Sequence, residues 1–170
     1  MSRILFIAGI SIAGAIILRT FLVEGIYVAS ASMEPTLSIG NHYFAEKISY
    51  KFRKPARGEI VVLESPVRKK RYIVKRIIAL PCERIKIENK NVFIDGKLLS
   101  EPYVRHSRDS EILEGDNLPE ITVPENSYFV LGDNRDESDD SSVWKDQSTG
   151  ERVYFVPERN IKSRLIILFN

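Results

Sequence analysis

The feature that most restricts the fold is an apolar N-terminal run, in which residues 4–18 contain no charged side chain. Arg19 interrupts the run, and the residues after it are again apolar except for Glu24. At 1.5 Å per residue, a helix of residues 4–23 spans the ~30 Å hydrocarbon core of a bilayer if the Arg19 side chain reaches the headgroups. The sequence therefore predicts a single transmembrane anchor over residues 1–23.

Two other interpretations of this run compete with the anchor. Ala29-Ser30-Ala31 resembles the small-x-small site at the end of a cleaved signal peptide, but the stretch from Arg19 to that site is longer and more charged than such a site allows. A buried core helix is the other interpretation, although the run shows no amphipathic stripe. Arg3 and the amino terminus favour a cytoplasmic N-terminus under the positive-inside rule, with the rest of the chain outside.

Beyond residue 23, the sequence changes to short runs of β-branched and aromatic residues separated by turn formers. These runs are typical of strands and cover residues 58–65, 71–80, 84–88, 91–99, 127–133 and 163–169. Asn89-Lys90-Asn91 and Asp95-Gly96 have the composition of hairpin turns. The 170 residues, 44% of them hydrophobic, suffice for one main domain. We expect a mostly β domain over residues 24–170, with an irregular loop at 105–120.

Composition excludes several functions. The formal net charge is only +2 with acids and bases interspersed, so we expect no nucleic-acid partner. The single cysteine, Cys82, has no disulfide partner and lacks the companions of a zinc site, so we expect a small packed side chain and predict neither metal nor cofactor. His42 and His106 are isolated among polar residues and are expected at the surface. A serine nucleophile would therefore need a base other than histidine.

Lys75 is a candidate for that base. Strand alternation in "YIVKRIIAL" puts Lys75 on one face with Ile73, Ile77 and Ala79. Desolvation on such a face disfavours the ammonium form and lowers the pKa of a lysine toward neutrality. A lysine that extends to solvent from an edge strand, or pairs with a carboxylate, is the alternative. Ser32, in "YVASASMEPTL", is the candidate nucleophile, although a serine next to a proline turn is common.

Several segments together resemble bacterial type I signal peptidases, in that family's order. They are "RTFLVEGIYVASASMEPTL", "GEIVV", "YIVKRIIALP", "YFVLGDNRDESDDS" and "VPERNIKSR". The resemblance runs from the end of the anchor to near the C-terminus. It implies a β-fold protease domain of the kind shared by signal peptidases and SOS-repressor proteases, carried on one N-terminal transmembrane helix.

The resemblance also implies roles for individual residues. Ser32 would be the nucleophile and Lys75 the general base, while the Ser30 hydroxyl and the Ser32 N–H would bind the oxyanion. Ser138 would orient the lysine. Pocket-lining positions of the family correspond to Ile26, Val28, Met33, Leu37, Ile73 and Val74. The Gly-Asp-Asn-Arg-Asp segment contributes the structural residues Asp133, Arg135, Asp136 and Asp140.

The implied function is the removal of N-terminal signal peptides from exported preproteins after Ala-x-Ala sites. The implied setting is the bacterial cytoplasmic membrane, with the N-terminus in the cytoplasm, the catalytic domain outside and the secretion translocon nearby. A specialised or impaired relative that matures one pilin or conjugation factor stays open, as does a membrane-tethered domain that binds peptides without cutting them. A self-cleaving repressor-type protein would instead carry a DNA-binding region where the apolar run lies.

Three departures from the family pattern predict local differences. Ser142 stands where the family commonly has an arginine, so the usual ion pair with Asp140 is absent and a different support beneath the catalytic pair is expected. "ALPCE" replaces a glycine-richer sequence, which predicts an altered turn at Cys82. The segment from Lys145 to Tyr154 lengthens the connection to the closing motif.

Overall fold

The computed structural model describes residues 2–166, without the side chains of residues 2, 13 and 15–21. Its helix, α1, covers Ser2–Phe21, and one turn residue separates it from the first strand. Ile4, Phe6 and Ile10 of α1 are exposed. Within the described residues, no helix combines the length and apolarity needed to cross a membrane. The predicted anchor and the last predicted strand extend to Met1 and to residues 167–169, which lie outside the described part.

The domain after α1 is built from eleven strands among the described residues. They are β1 (Val23–Tyr27), β2 (His42–Glu46), β3 (Ile60–Glu64), β4 (Tyr72–Ala79), β5 (Arg84–Glu88), β6 (Asn91–Ile94), β7 (Lys97–Leu98), β8 (Leu118–Thr122), β9 (Ser127–Leu131), β10 (Val156–Pro157) and β11 (Ile161–Ile166). Short 3-10 turns include Ala31–Met33, Glu114–Asp116 and Arg135–Glu137. The mostly β fold class is confirmed.

The strands form two antiparallel sheets. The larger sheet has the order β1-β2-β11-β3-β4-β9-β10, and the smaller has the order β7-β6-β5-β8. Three apolar clusters bury the sheet faces. One cluster packs the smaller sheet against the ends of β4 and β9, the second surrounds Trp144, and the third packs Met33 and Leu37 against β2, β3 and β11. The segment between β1 and β2 is thus anchored on the larger sheet by its own apolar side chains.

Alternation in β4 holds over most of the strand and fails at its end. Ile73 and Ile77 pack in the cluster around Trp144, as predicted for the face of Lys75. Ile78 and Ala79 both pack in the cluster of the smaller sheet, because the pairing of β4 with β9 shifts register between Ile77 and Ala79. The prediction that Ala79 shares the face of Lys75 is therefore wrong, since a β-bulge re-aims the residues beyond it.

Some strands and one side chain differ from expectation. β2 and β8 were not predicted, and β8 begins at Leu118, inside the stretch expected to be an irregular loop. Cys82 is exposed rather than packed, so that prediction is wrong. Its φ of 68° places it in the left-handed region, where glycine is the usual residue. The Cys82 backbone N–H donates to the Val123 carbonyl at 2.9 Å, and the altered turn expected at "ALPCE" stays a prediction.

Candidate active site

Ser32 lies in a closed loop between β1 and β2. Val28 and Gly40 close the loop through a backbone hydrogen bond of 2.9 Å, and within it Leu37 N–H donates to the Met33 carbonyl at 2.8 Å. Ser32 is in the 3-10 turn at the start of this loop and is only 8% exposed. Burial of Met33 and Leu37 holds the 3-10 turn in place. The turn therefore sets the position of Ser32.

The loop after β9 holds Ser32 from the other side. The Asn134 N–H donates to the Ser32 carbonyl at 3.2 Å. Gly132 lies so close that an added Cβ would collide with the Ser32 carbonyl and with the Ser138 hydroxyl, and would come within 2.6 Å of the Ser138 Cβ. A residue without a Cβ is therefore required here because of this close backbone approach, not because of an unusual φ.

Lys75 is the central residue of β4 and is 3% exposed. Burial lowers the pKa of its ammonium group, while the negative charges of Asp140, Asp139 and Asp133 act in the opposite direction and Arg71 acts with the burial. In the described part of the chain, its side chain has no recorded hydrogen bond or ion pair. Desolvation dominates, so a larger share of the amine is neutral than for a lysine in water.

Ser32 and Lys75 line the same cleft, which has a volume of about 580 Å³. The Ser30 hydroxyl also lines it and lies 3.4 Å from the Ser32 Oγ. The six apolar residues predicted for the pockets all line this cleft: Ile26, Val28, Met33, Leu37, Ile73 and Val74. A candidate nucleophile, a candidate base, a further hydroxyl and apolar walls therefore line one cleft.

Ser138 does not line this cleft among the described residues. Its hydroxyl forms a hydrogen bond with Asp140 rather than with Lys75. Its hydroxyl donates to the Asp140 Oδ2 at 2.5 Å, and the Gly132 N–H donates to the same oxygen at 2.9 Å. The other carboxylate oxygen accepts from Ser142, through its N–H at 3.1 Å and its hydroxyl at 2.8 Å. The different support expected at Ser142 is thus observed, with neutral donors around the carboxylate.

The remaining motif residues fix the loop after β9. Asp133 is fully buried and pairs with Arg76 of β4 at 2.8 and 2.5 Å. Thr36, from the Ser32 loop, donates to the same carboxylate at 2.5 Å. Arg135 pairs with Glu101 at 2.6 Å. These contacts join β4, the Ser32 loop and the loop after β9 around one buried ion pair.

Asp136 belongs to a second polar cluster, beside which lies a smaller cavity of about 210 Å³. Donor atoms of His106, Asp116 and Asp136 lie within 4.8 Å of one another, a grouping that composition did not predict. The Lys90 ammonium lies 3.6 Å from Asp136 and 3.8 Å from Asp116, so a cation from the chain already faces both carboxylates. Burial acts to raise the pKa of Asp136, but hydrogen bonds with the Arg108 N–H and with His106, together with the nearby Lys90 charge, lower it overall.

Sequence reasoning missed several residues that line the cleft or its support. Arg68, Arg71, Glu137 and Asp139 form its charged end, where Arg68 and Asp139 are 3.2 Å apart. Residues 68–71 form a basic run, and nothing in its composition connects it to the acidic loop beyond β9. Asn134, also missed, is buried, and its Oδ1 has no hydrogen-bond partner among the described residues.

The β-rich fold and the cleft around a buried serine and lysine are those of a hydrolase of the serine protease type. Residues 1–169 match the family described as signal peptidase, peptidase S26. The chain is 38% identical over 160 residues to the probable signal peptidase I-2 of Synechocystis, a match that spans 91% of this chain and 66% of that protein. It is 36% identical over 168 residues to the signal peptidase I of Leptolyngbya laminosa, spanning 95% and 75% of the two chains.

A solved structure agrees with these relatives. The crystal structure of a signal peptidase I from Enterococcus faecalis is 31% identical and superimposes with a TM-score of 0.51, covering 67% of this chain and 98% of that one. The chain belongs to the signal peptidase family, peptidase S26. The resemblance deduced from the sequence motifs is therefore confirmed.

The electrostatics of the cleft predict opposite effects of two charge-neutralising substitutions. Asp139→Asn removes a negative charge that favours the Lys75 ammonium, so the pKa of Lys75 should fall further. Arg71→Gln removes a positive charge that disfavours the ammonium, so the pKa should rise. An NMR titration of the Lys75 side chain measures both shifts. Asp95→Asn, at an exposed turn, is the control, and shifts of the same sign in the two cleft variants would contradict the electrostatic account.

Proposed function

We propose that this chain is a membrane-bound endopeptidase that removes N-terminal signal peptides from preproteins, with Ser32 as nucleophile and Lys75 as general base. One observation carries the proposal: Ser32 lies in the same cleft as a lysine whose pKa is lowered by burial. A serine hydroxyl is a poor nucleophile until a base takes its proton, and a neutral amine is such a base.

The reaction then runs in two steps. Neutral Lys75 takes the proton from the Ser32 Oγ as the oxygen attacks the scissile carbonyl, and the proton passes to the departing amine of the mature protein. Water next attacks the acyl-serine, with Lys75 again accepting a proton, which returns to the Ser32 oxygen when the signal peptide leaves as a carboxylate. The Ser32 N–H and the Ser30 hydroxyl stabilise the oxyanion of each step.

Two unpaired strand edges support an extended mode of substrate binding. β1 is the first strand of the larger sheet and pairs only with β2. β4 pairs with β9 only from Arg76 onward, so Tyr72 to Lys75 have β3 alone as a neighbour within the described chain. Both edges border the cleft. A peptide that adds to these edges presents alternate side chains to the apolar walls, the mode of recognition known as β-augmentation.

The walls of the cleft support a preference for small side chains. Val28, Met33 and Leu37 are buried and packed against the larger sheet, so they leave the pocket little freedom to expand. Overfilling a packed apolar site costs about 1–3 kcal/mol or more. Alanine at the first and third positions before the cut satisfies this limit.

The membrane setting is part of the same proposal. Although the described part of the chain holds no helix that meets the requirements of a membrane span, the uncharged run at residues 4–18 and the exposed apolar side chains of α1 support a single-pass anchor over residues 1–23, with the N-terminus in the cytoplasm and the catalytic domain outside. Ser32 follows Val23 by nine positions, a reach of at most ~30 Å. Such a tether keeps the nucleophile near the membrane surface, where a translocated signal peptide and the secretion translocon would present the cleavage site. Tyr27, exposed beside the cleft, suits an interfacial position, whereas its neighbour Val28 is buried.

Substitution of either catalytic residue should abolish cleavage of an Ala-x-Ala preprotein in detergent. Ser32→Ala and Lys75→Ala each should lower kcat by about a thousandfold or more, and the double variant should be no slower, because the two residues act as one unit. Ser38→Ala, an exposed serine of the same loop, and Lys86→Ala, an exterior strand lysine, are the matched controls. Substantial turnover by Lys75→Ala would refute the lysine as base.

Substrate shape gives a separate test. A preprotein with phenylalanine immediately before the cut should be cleaved at least about tenfold more slowly than its alanine counterpart, since the ring overfills the pocket. A phenylalanine two residues before the cut, where the side chain points away from the alternate pockets, is the control. Equal cleavage rates for all three substrates would contradict the proposed preference for small side chains.

Topology is tested with protease added to cells whose outer envelope is permeabilised and whose inner membrane is sealed. The domain from about Glu24 onward should be digested, leaving a protected fragment of α1. A cytoplasmic marker protein that stays intact shows that the inner membrane is closed. Protection of the whole domain until that membrane is broken would place the domain in the cytoplasm and contradict the proposed setting.

A further inference from the structure

The carboxylate of Asp140 depends on Ser142 for one of its two oxygens. Asp140 is 1% exposed, and an ionised carboxylate can only accept hydrogen bonds. Its Oδ1 accepts from the Ser142 N–H at 3.1 Å and from the Ser142 hydroxyl at 2.8 Å, the two bonds recorded for that atom in the described chain. The hydroxyl is thus the only side-chain donor to this oxygen among the described residues, and it contributes to the orientation of the carboxylate.

Ser142 is itself held by neighbours outside the cleft. Its carbonyl accepts from the Arg152 guanidinium, which also pairs with Glu114 at 3.0 Å. Gly115 covers its side chain so closely that a Cβ on Gly115 would lie 2.5 Å from the Ser142 Oγ. The Gly115 backbone leaves room for the serine hydroxyl and restricts it to the space beside Asp140.

The other oxygen of Asp140 leads to the nucleophile. The Asp140 Oδ2 accepts from the Ser138 hydroxyl and from the Gly132 N–H. Gly132 and Ser138 lie against each other, and Gly132 also lies against the Ser32 carbonyl. A rotation of the carboxylate would therefore disturb its hydrogen bonds with Gly132 and Ser138, and Gly132 is the residue that lies against the Ser32 carbonyl. It would also move the charge that most strongly opposes the effect of burial on the pKa of Lys75.

We infer that Ser142 is a positioning residue, whose hydroxyl locks the Asp140 carboxylate beneath Ser32 and Lys75, and that Gly115 keeps this hydroxyl in place. The inference rests on the proposed function, because it assigns Ser142 a part in that reaction. Ser142 does not line the substrate cleft, so its loss should slow the chemical step without weakening substrate binding. The effect should appear in kcat, with KM unchanged.

Ser142→Ala, Ser142→Thr and Ser141→Ala form the first test, in steady-state cleavage of an Ala-x-Ala preprotein. Ser142→Ala should lower kcat about tenfold, the effect of one hydrogen bond to a charged group, and Ser142→Thr, which keeps the hydroxyl, should retain at least half of kcat. Ser141 is the matched control, since it is also buried but its hydroxyl accepts from the Val130 N–H at 3.1 Å and, in the described chain, makes no hydrogen bond to the Asp140 carboxylate. Ser141→Ala should keep the parent kcat even where thermal unfolding shows a loss of stability.

Three results would overturn the inference: a parent-like kcat for Ser142→Ala, a Ser142→Thr variant as slow as Ser142→Ala, or an equal loss in Ser141→Ala. If Ser32→Ala still cleaves, the proposed function fails. If Ser32→Ala is inactive while Ser142→Ala is fully active, the positioning role alone fails.

Gly115→Ala is a second test, and it changes none of the residues that donate hydrogen bonds to Asp140. The added methyl should displace the Ser142 hydroxyl and lower kcat to a similar extent, again with KM unchanged. In the Ser142→Ala background, the same substitution should cost little more, because the hydroxyl it displaces is gone. Losses that multiply in the double variant would contradict the role assigned to Gly115, and this comparison holds even if one single variant is less stable.

Discussion

Burial of the Lys75 side chain in the middle of a sheet is the constraint on which the site depends. Removing an ammonium ion from water is costly unless the ion is paired, and Lys75 has no ion pair among the described residues, so burial lowers the pKa of its ammonium group. The three acidic residues that oppose this effect lie in the loop after β9, and they limit the shift without cancelling it. The position of that loop therefore sets how much neutral amine is available, and the rest of the architecture serves to hold the loop.

Two buried contacts fix the loop, one a side-chain ion pair and the other a close backbone approach. The Arg76–Asp133 pair ties it to β4, the same strand that carries Lys75. The close approach of Gly132 to the Ser32 carbonyl ties it to the nucleophile. Breaking a buried ion pair by removal of one partner costs about 3–5 kcal/mol. The Arg76–Asp133 pair therefore resists displacement of this loop from β4.

The period-two pattern of side chains along the sequence predicted which residues of β4 share a face with Lys75, as far as that alternation holds. The face of Lys75 followed from period-two spacing until the bulge after Ile77, a feature that sequence spacing cannot reveal. β8 was missed because Pro119 disfavours a strand, yet β8 lies at the edge of the smaller sheet, where a proline is tolerated. The convergence of Ser32 and Lys75 was implied by family resemblance, since no local pattern joins two segments so far apart in the chain. Neither local pattern nor family resemblance predicted the contact of Gly115 with Ser142, because this contact arises from the packing of two loops.

The free strand edges connect the fold to its proposed reaction. An unpaired edge is a hazard in most proteins, because it offers its backbone to any extended chain. Here the edges of β1 and the first half of β4 border one cleft, and Ser32 and Lys75 are part of its lining. A peptide bound along these edges is fixed through its backbone, which is the same in every preprotein. Discrimination is then left to the apolar pockets, so broad acceptance of sequences and a strict limit on side-chain size follow from one geometry.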